Sequence, residues 1–197
     1  TRQPIPTDKL RVIQQRCQTT DDEPRWLVAL ISDTGMRLSE AAGLAREDIV
    51  LDADIPHVII RPHPWRRLKT KSSERRLPLV GASLWAAKRA VEASQHSPYL
   101  FPRYCNDKVC KANSASATLN KWLKQTIGGG YVIHSFRHSM RDRLRSVNCP
   151  SEMIDQIGGW SKTSVGEGYG EGFRLTQVFQ ALLSLSLKAK PNFTTEN

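Results

Sequence analysis

The sequence predicts a mainly α-helical domain that carries one small antiparallel β-sheet or hairpin, an α+β arrangement. Apolar residues recur at helical spacing from end to end, and a single region reads as extended strands. Neither an internal repeat nor a low-complexity linker divides the 197 residues, 39% of which are hydrophobic, so the chain can bury a core. A single domain over 1–197 is the economical expectation.

A first helix is predicted to start at Thr7, whose hydroxyl can cap the run DKLRVIQQRC. A second starts near Pro24, which suits a first helical turn, and carries Trp26, Leu27, Leu30 and Ile31 on one side. DTGMRLSEAAGL reads as a turn at Gly35 followed by a new helix. The runs HVIIRP and RRLPLV are extended and can pair, with a mobile basic tip between them. Further helices are predicted in SLWAAKRAVEAS, in SATLNKWLKQTI before Gly128-Gly129-Gly130, in HSFRHSMRDRLRSV before Pro150, and in SEMIDQIGG. The last, RLTQVFQALLSLSL, aligns Leu175, Val178, Phe179, Leu182 and Leu185 in one stripe, and the tail beyond it is expected to fray.

Lysine and arginine total 29 against 19 acidic residues, a net charge of +10 that suits a nucleic-acid partner as well as plain solubility. No run of 18 apolar residues and no signal-like start is present, so no membrane partner and a cytoplasmic, nucleoid-associated location are expected. The four cysteines, Cys17, Cys105, Cys110 and Cys149, form neither a CxxC pair nor a dense framework and are expected to be reduced thiols. Cys105 and Cys110 with His96 have the wrong spacing for a zinc knuckle, and no metal or cofactor is expected.

Four clusters carry candidate chemistry. Wound at about 100° per residue, IHSFRHSMRDRLRSV places Phe136, Met140, Leu144 and Val147 on one face and His134, Arg137, His138, Arg141 and Arg145 opposite, as a cationic surface. Arg143 falls near the apolar stripe and must snorkel or pair. In TGMRLSEAAGL, Arg37 and Glu40 share one side of a first helical turn. They read as an ordinary ion pair, or as a site where an anion compensates an arginine that the helix dipole disfavours. RPHPWRRLKTKSSERRLPL holds seven lysines and arginines with one acid. That segment reads as a solvated loop or as a DNA-contacting hairpin, with Arg66, Arg67, Lys71 and Arg75 as contacts and Arg141 joining them from the basic helix. Lys69 and Lys71 can also move a proton, which arginine in practice cannot. In IGGWSKTSVGEGYG, Tyr169 stands between two glycines on a segment too glycine-rich for a stable helix, either a surface turn residue or a phenol on a flexible strap.

In chain order come Arg37, a hairpin lysine, His134-x-x-Arg137, Gly159-Trp160 and, nine residues later, Tyr169. This order resembles the tyrosine recombinase family, the phage-integrase type of site-specific DNA recombinase, through TGMRLSEAAGL, KTKSSERRLPL, HSFRH and GGWSKTSVGEGYG. In-line attack on a phosphodiester builds negative charge on its non-bridging oxygens, and two guanidiniums can hold that charge without a metal ion. The resemblance implies the family's catalytic-domain fold, with Arg37 and Arg137 as that pair and Tyr169 as the nucleophile of a 3'-phosphotyrosyl intermediate. A phenol of pKa about 10 needs help to lose its proton, and His134 is implied as the helper. The hairpin lysine would protonate the departing deoxyribose oxygen. Lys69 is implied there because a KT pair stands nine residues before Pro78, with Lys71 the second choice. Trp160 occupies a position where many members have histidine, and its indole can donate but not exchange a proton. Glu40 and His138 are implied as residues that orient Arg37 and the active-site helix.

The resemblance also implies double-stranded DNA attachment sites as partners and four protomers on two sites, with a monomer possible for this chain alone. Residues 173–190, which hold the last helix, would dock on a neighbour or on their own core. The family's N-terminal DNA-clamping domain is not in the sequence, so a longer integrase is expected, serving viral genome integration or another mobile element. The alternatives are strand passage of the type IB topoisomerase kind and a DNA-binding module without catalysis.

Overall fold

The computed structural model describes residues 2–160 and 172–187. The first helix, α1 (Thr7–Thr20), follows Pro6, and Thr7 is its first helical residue rather than a side-chain cap. The second, α2 (Glu23–Ser32), is capped by Asp22, which accepts from the Arg25 N–H at 3.1 Å, and has Pro24 in its first turn. Eight of its ten residues are buried. A helix that is apolar nearly all round belongs in the middle of a bundle, and α2 packs against α1, against the short α3 (Leu38–Ala42) and most extensively against α4 (Gly81–Ala93).

Between α3 and α4 the chain forms one antiparallel sheet: β1 (Ile49–Val50), β2 (His57–Ile60) and β3 (Arg75–Pro78), in the order β1-β2-β3. The predicted runs supply β2 and β3. The two-residue β1 is an addition, too short to show a period of its own. Register pairs Val58 with Leu77, Ile59 with Arg76 and Ile60 with Arg75. Side chains alternate across a strand, so Arg75 lies on the face of buried Leu77 while exposed Arg76 faces outward.

The connection from β2 to β3 is more structured than a bare basic tip. His63 stacks on Trp65 with centroids 4.4 Å apart, and the Trp65 indole donates to the Gly43 carbonyl at 2.9 Å. Arg66, expected to reach DNA, is instead 5% exposed. Its guanidinium donates to the carbonyls of Arg61 at 2.6 Å and Glu40 at 3.2 Å, because the loop folds back over α3. Arg67, Lys69 and Lys71 are exposed.

The rest is helical: α5 (Ala112–Ile127), α6 (Ser135–Ser146), α7 (Ser151–Gly158) and α8 (Leu175–Leu185). In this chain the α8 stripe packs on its own domain, against β3 and α6, with Val178, Leu182 and Leu185 buried. Full burial of an aliphatic side chain is worth about 1.5–3 kcal/mol, so the stripe is a substantial attachment. Arg143 pairs rather than snorkels: it donates to Asp33 Oδ1 at 2.8 Å, to the Ser32 carbonyl at 2.8 Å and to the Leu185 carbonyl at 3.1 Å. Asp33 also caps the start of α4 by accepting from the Ala82 N–H at 2.9 Å. One buried ion pair thus joins α2, α4, α6 and α8.

Candidate active site

The site is assembled where the C-terminal end of α7 meets the start of α3. The last carbonyls of a helix have no partner within it and form the negative end of its dipole. Here three consecutive carbonyls receive three arginines. Arg75 Nε donates to the Ile157 carbonyl at 2.8 Å, Arg137 Nη2 to Gly158 at 2.8 Å, and Arg37 Nη2 to Gly159 at 3.3 Å. Gly159 permits this ending, since its φ of +63° lies in the left-handed region and a Cβ there would meet Arg75 Nη1 at 2.6 Å.

Glu40 fixes the other side. It is 1% exposed and takes Arg75 in a two-point contact, Nη1 to Oε2 and Nη2 to Oε1, both at 2.9 Å. The same carboxylate accepts the Arg37 backbone N–H at 2.8 Å and Arg37 Nη1 at 3.2 Å. Burial pushes the Glu40 pKa up, but the Arg75 hydrogen bonds and charge, joined by Arg37, outweigh it and hold the carboxyl below its ordinary value. Arg37 also donates to Ser73 Oγ at 3.2 Å, and Ser73 Oγ accepts the Thr70 N–H at 3.3 Å. Exposed Lys69 and Lys71 flank Thr70 and so stand on a turn tethered to Arg37.

Arg137 is 3% exposed, not part of an open cationic surface. The wheel identifies the polar side of α6 correctly but cannot show that the Gly35 turn and the end of α7 cover it. Arg137 Nη1 donates to the Gly35 carbonyl at 2.9 Å, and its guanidinium lies 4.6 Å from the Trp160 ring centroid. Arg141 lies 4.1 Å from the same ring and is partly exposed. Indole faces attract cations, so Trp160 packs between two arginines at the outlet of α7. Among the described residues no carboxylate forms an ion pair with Arg137. Burial and the like charge of Arg37 depress its pKa to about 9, which leaves it charged at neutral pH.

His134 immediately precedes α6 and lines a cavity of about 190 Å³ with Arg137, Met36, Leu38, Asn120 and Arg2. Its ring meets His138 edge to face, centroids 5.3 Å apart. Although the residue reaches the surface, partial burial together with Arg137 and Arg2 lowers its pKa to about 4, so the imidazole is neutral at pH 7 and able to accept a proton. Tyr169 lies outside the described residues.

The structure therefore brings Arg37, Glu40, Arg137 and Trp160 together and places His134 on the same cavity as Arg137. It removes Arg66 and Arg75 from the expected DNA-contact surface, because both guanidiniums are occupied inside the protein. Two positioning residues, Ser73 and Arg75, were not anticipated. The alternation Arg75, Leu77, Leu79 against Arg76, Pro78 carries the signal for an inward-facing Arg75.

A mainly helical domain with a small antiparallel sheet and this arginine, glutamate, histidine and tryptophan arrangement defines the catalytic-domain architecture of the integrase class. The phage integrase family pattern matches residues 5–171, and the chain belongs to that family. The Tn1549 transposon integrase, solved in complex with transposon right-end DNA, is similar in fold at a TM-score of 0.63 and 15% identity, over 96% of this chain and 63% of that one. The XerH site-specific recombinase bound to its difH substrate is similar at a TM-score of 0.56 and 18% identity, over 82% of this chain and 47% of that one. The chain thus spans less than two thirds of the length of either. No curated protein matches it.

Proposed function

We propose that this domain performs the strand transfer of a site-specific DNA recombinase, cutting and rejoining a DNA phosphodiester through a 3'-phosphotyrosyl intermediate. The observation that carries the reading is the pair Arg37 and Arg137, drawn together by adjacent carbonyls at the end of α7, with Arg137 buried and in direct ion pair with no described carboxylate, the nearby Glu40 being engaged by Arg37 and Arg75. A buried cation without a counter-charge is expensive. A phosphate bridging the two guanidiniums supplies that charge, and supplies more of it as the transition state forms.

In this reading Tyr169 attacks phosphorus, the bond to the deoxyribose 5'-oxygen breaks, and its proton moves to neutral His134 directly or through water. Lys69, with Lys71 as the alternative, donates a proton to the departing oxygen. A 5'-hydroxyl from a partner strand reverses the step, so the phosphate ester energy is retained and no nucleotide cofactor is consumed. Trp160 holds Arg137 and Arg141 against the outlet of α7, and His138 supports His134. Exposed Arg67 and Lys71, with Arg141, contact backbone phosphates. The partners are double-stranded attachment sites and, on DNA, a tetramer of this protein. The setting is the cytoplasm, on a phage genome or another mobile element.

A duplex with a nick close to the cleavage position loses its short downstream fragment after attack and traps the enzyme on DNA. Incubated with this substrate in EDTA, the protein is expected to yield an adduct stable to denaturant and absent for Tyr169→Phe. Reversible, salt-sensitive binding with no adduct from either protein would replace this reading with a non-catalytic DNA binder. Continuous relaxation of supercoils without partner exchange would place it with the topoisomerases.

A further inference from the structure

Outside the arginine site, a hairpin brings two thiols face to face. Cys105 and Cys110 form an isolated antiparallel bridge. The flanking bonds run from the Asn106 N–H to the Val109 carbonyl at 3.0 Å and from the Lys111 N–H to the Tyr104 carbonyl at 2.7 Å, so the two cysteines are a non-hydrogen-bonded pair. Such pairs have Cα atoms about 4.5 Å apart, inside the roughly 4.4–6.8 Å window that a disulfide spans. Asn106 Oδ1 accepts from the Lys108 and Val109 N–H groups, both at 2.9 Å, which fixes the turn and keeps the partners opposed.

The surroundings favour reaction at Cys110. Both residues are partly exposed. The Cys105 thiol interacts with that of Cys110 and, aided by the Arg66 guanidinium and the Ala112 N–H, holds the Cys110 pKa below its ordinary value. Among the described residues, buried Arg66 Nε has no hydrogen-bond partner. Cys17 differs: it is fully buried, with its pKa pushed up to about 12. Cys110 opens onto a cavity of about 410 Å³ lined also by Ser39, Pro64, Trp65, Arg67 and Lys108. Three cations at its wall, Arg66, Arg67 and Lys108, suit an anionic visitor.

We propose that Cys105 and Cys110 form a thiol–disulfide exchange site for a small anionic disulfide of the glutathione type. The Cys110 thiolate attacks one sulfur of that disulfide, forming a mixed disulfide and releasing one small thiolate. The Cys110 thiolate and burial hold the Cys105 pKa above its ordinary value; once Cys110 is in the mixed disulfide that thiolate is gone, and Cys105 loses its proton to solvent and attacks the Cys110 sulfur, closing the internal disulfide and releasing the second small thiolate. Two protein thiols are oxidised and one external disulfide is reduced to two thiols. Closure also removes the Cys105 S–H hydrogen, whose sulfur lies 3.0 Å from the Ala42 carbonyl at the end of α3, the helix that carries Glu40.

Trypsin reads this step on the unaltered chain, because Lys108 lies between the two cysteines. After treatment of the reduced protein with oxidised glutathione and quenching with an alkylating agent, peptides 104–108 and 109–111 should travel as one species that reductant separates. Cys105→Ser, checked for folding by circular dichroism, should instead accumulate glutathione on Cys110. Oxidised glutathione should react severalfold faster than neutral hydroxyethyl disulfide, and Arg67→Ala should shrink that preference. Separate peptides with both cysteines alkylated, a stable glutathione adduct on the unaltered pair, or equal rates for the two disulfides would overturn the proposal. None of these readings involves DNA, so the site stands or falls independently of the proposed recombination.

Discussion

At the scale of single residues, the distinctive feature of the proposed anion site is that its arginines already donate to protein carbonyls. Arg37 and Arg137 each give one Nη to the end of α7, which orients both guanidiniums, while Glu40 pairs with Arg37 and, among the described residues, no carboxylate forms an ion pair with Arg137. Arg137→Lys keeps a charge but loses the planar fork. Trapping of the nicked duplex should fall about 100- to 1,000-fold, the range for losing one transition-state donor, while duplex affinity changes far less. His134 gives a pH test. Because its pKa is lowered to about 4, the cleavage rate should show no His134-dependent inflection between about pH 5 and 7. A step near the ordinary histidine value of about 6.5 that disappears in His134→Gln would contradict its neutral role. The stability linkage has a definite sign: the unfolded chain takes up the proton first, so His134 weakens the fold as pH falls from about 6.5 towards about 4.

Arg75 makes a related test of positioning. Its removal leaves Glu40 paired with Arg37 alone and draws that guanidinium away from a bound phosphate. Arg75→Met should slow cleavage of saturating DNA by roughly 100-fold, as small misplacements do. Adding Glu40→Gln should recover part of the loss. A double variant no faster than the single one would make Arg75 a purely structural strut. The sequence shows both residues, yet their connection spans 35 positions and depends on strand register. Composition alone made Arg75 another surface cation; only the alternation with Leu77 turns it inward.

At the scale of elements, helices were readable from their periodicity, and their ends from Pro24, Gly128 and Pro150. What escaped was the coverage of α6. Its apolar face is evident in Phe136, Met140 and Leu144, but the burial of Arg137 and Arg143 is imposed by elements distant in sequence: α2, the Gly35 turn, α7 and α8. Arg143 with Asp33 illustrates the energetic stakes. Arg143→Met leaves a buried carboxylate unpaired and should destabilise the fold by about 3–5 kcal/mol in urea unfolding. Adding Asp33→Asn should recover much of that by removing the stranded charge. Equal stability of the unaltered chain and Arg143→Met would remove the pair as the joint of the four helices.

At the scale of the whole molecule, the +10 charge acts only where it remains free. Arg66, Arg75, Arg137 and Arg143 are held inside, so net charge overstates the surface available to DNA. Arg67, Lys69 and Lys71 are exposed and Arg141 partly so, which leaves them able to meet phosphates. The fold class was legible because helical spacing dominates the chain. The family was legible because four short motifs keep their order, though no single one decides the matter. The site's inner bracing was not, since it joins residues distant in sequence, partly through arginine-to-carbonyl bonds that any residue's backbone can accept.

The proposed chemistry is tested most directly by isolating the DNA-linked peptide after trapping. Trypsin should release residues 163–174, a peptide whose one hydroxylated aromatic is Tyr169. Mass spectrometry with sequencing of the attached strand should place a DNA 3'-phosphate on that phenol and a free 5'-hydroxyl on the released fragment. Attachment through a 5'-phosphate, or to any other residue, would contradict in-line attack by Tyr169 on a phosphate held between Arg37 and Arg137.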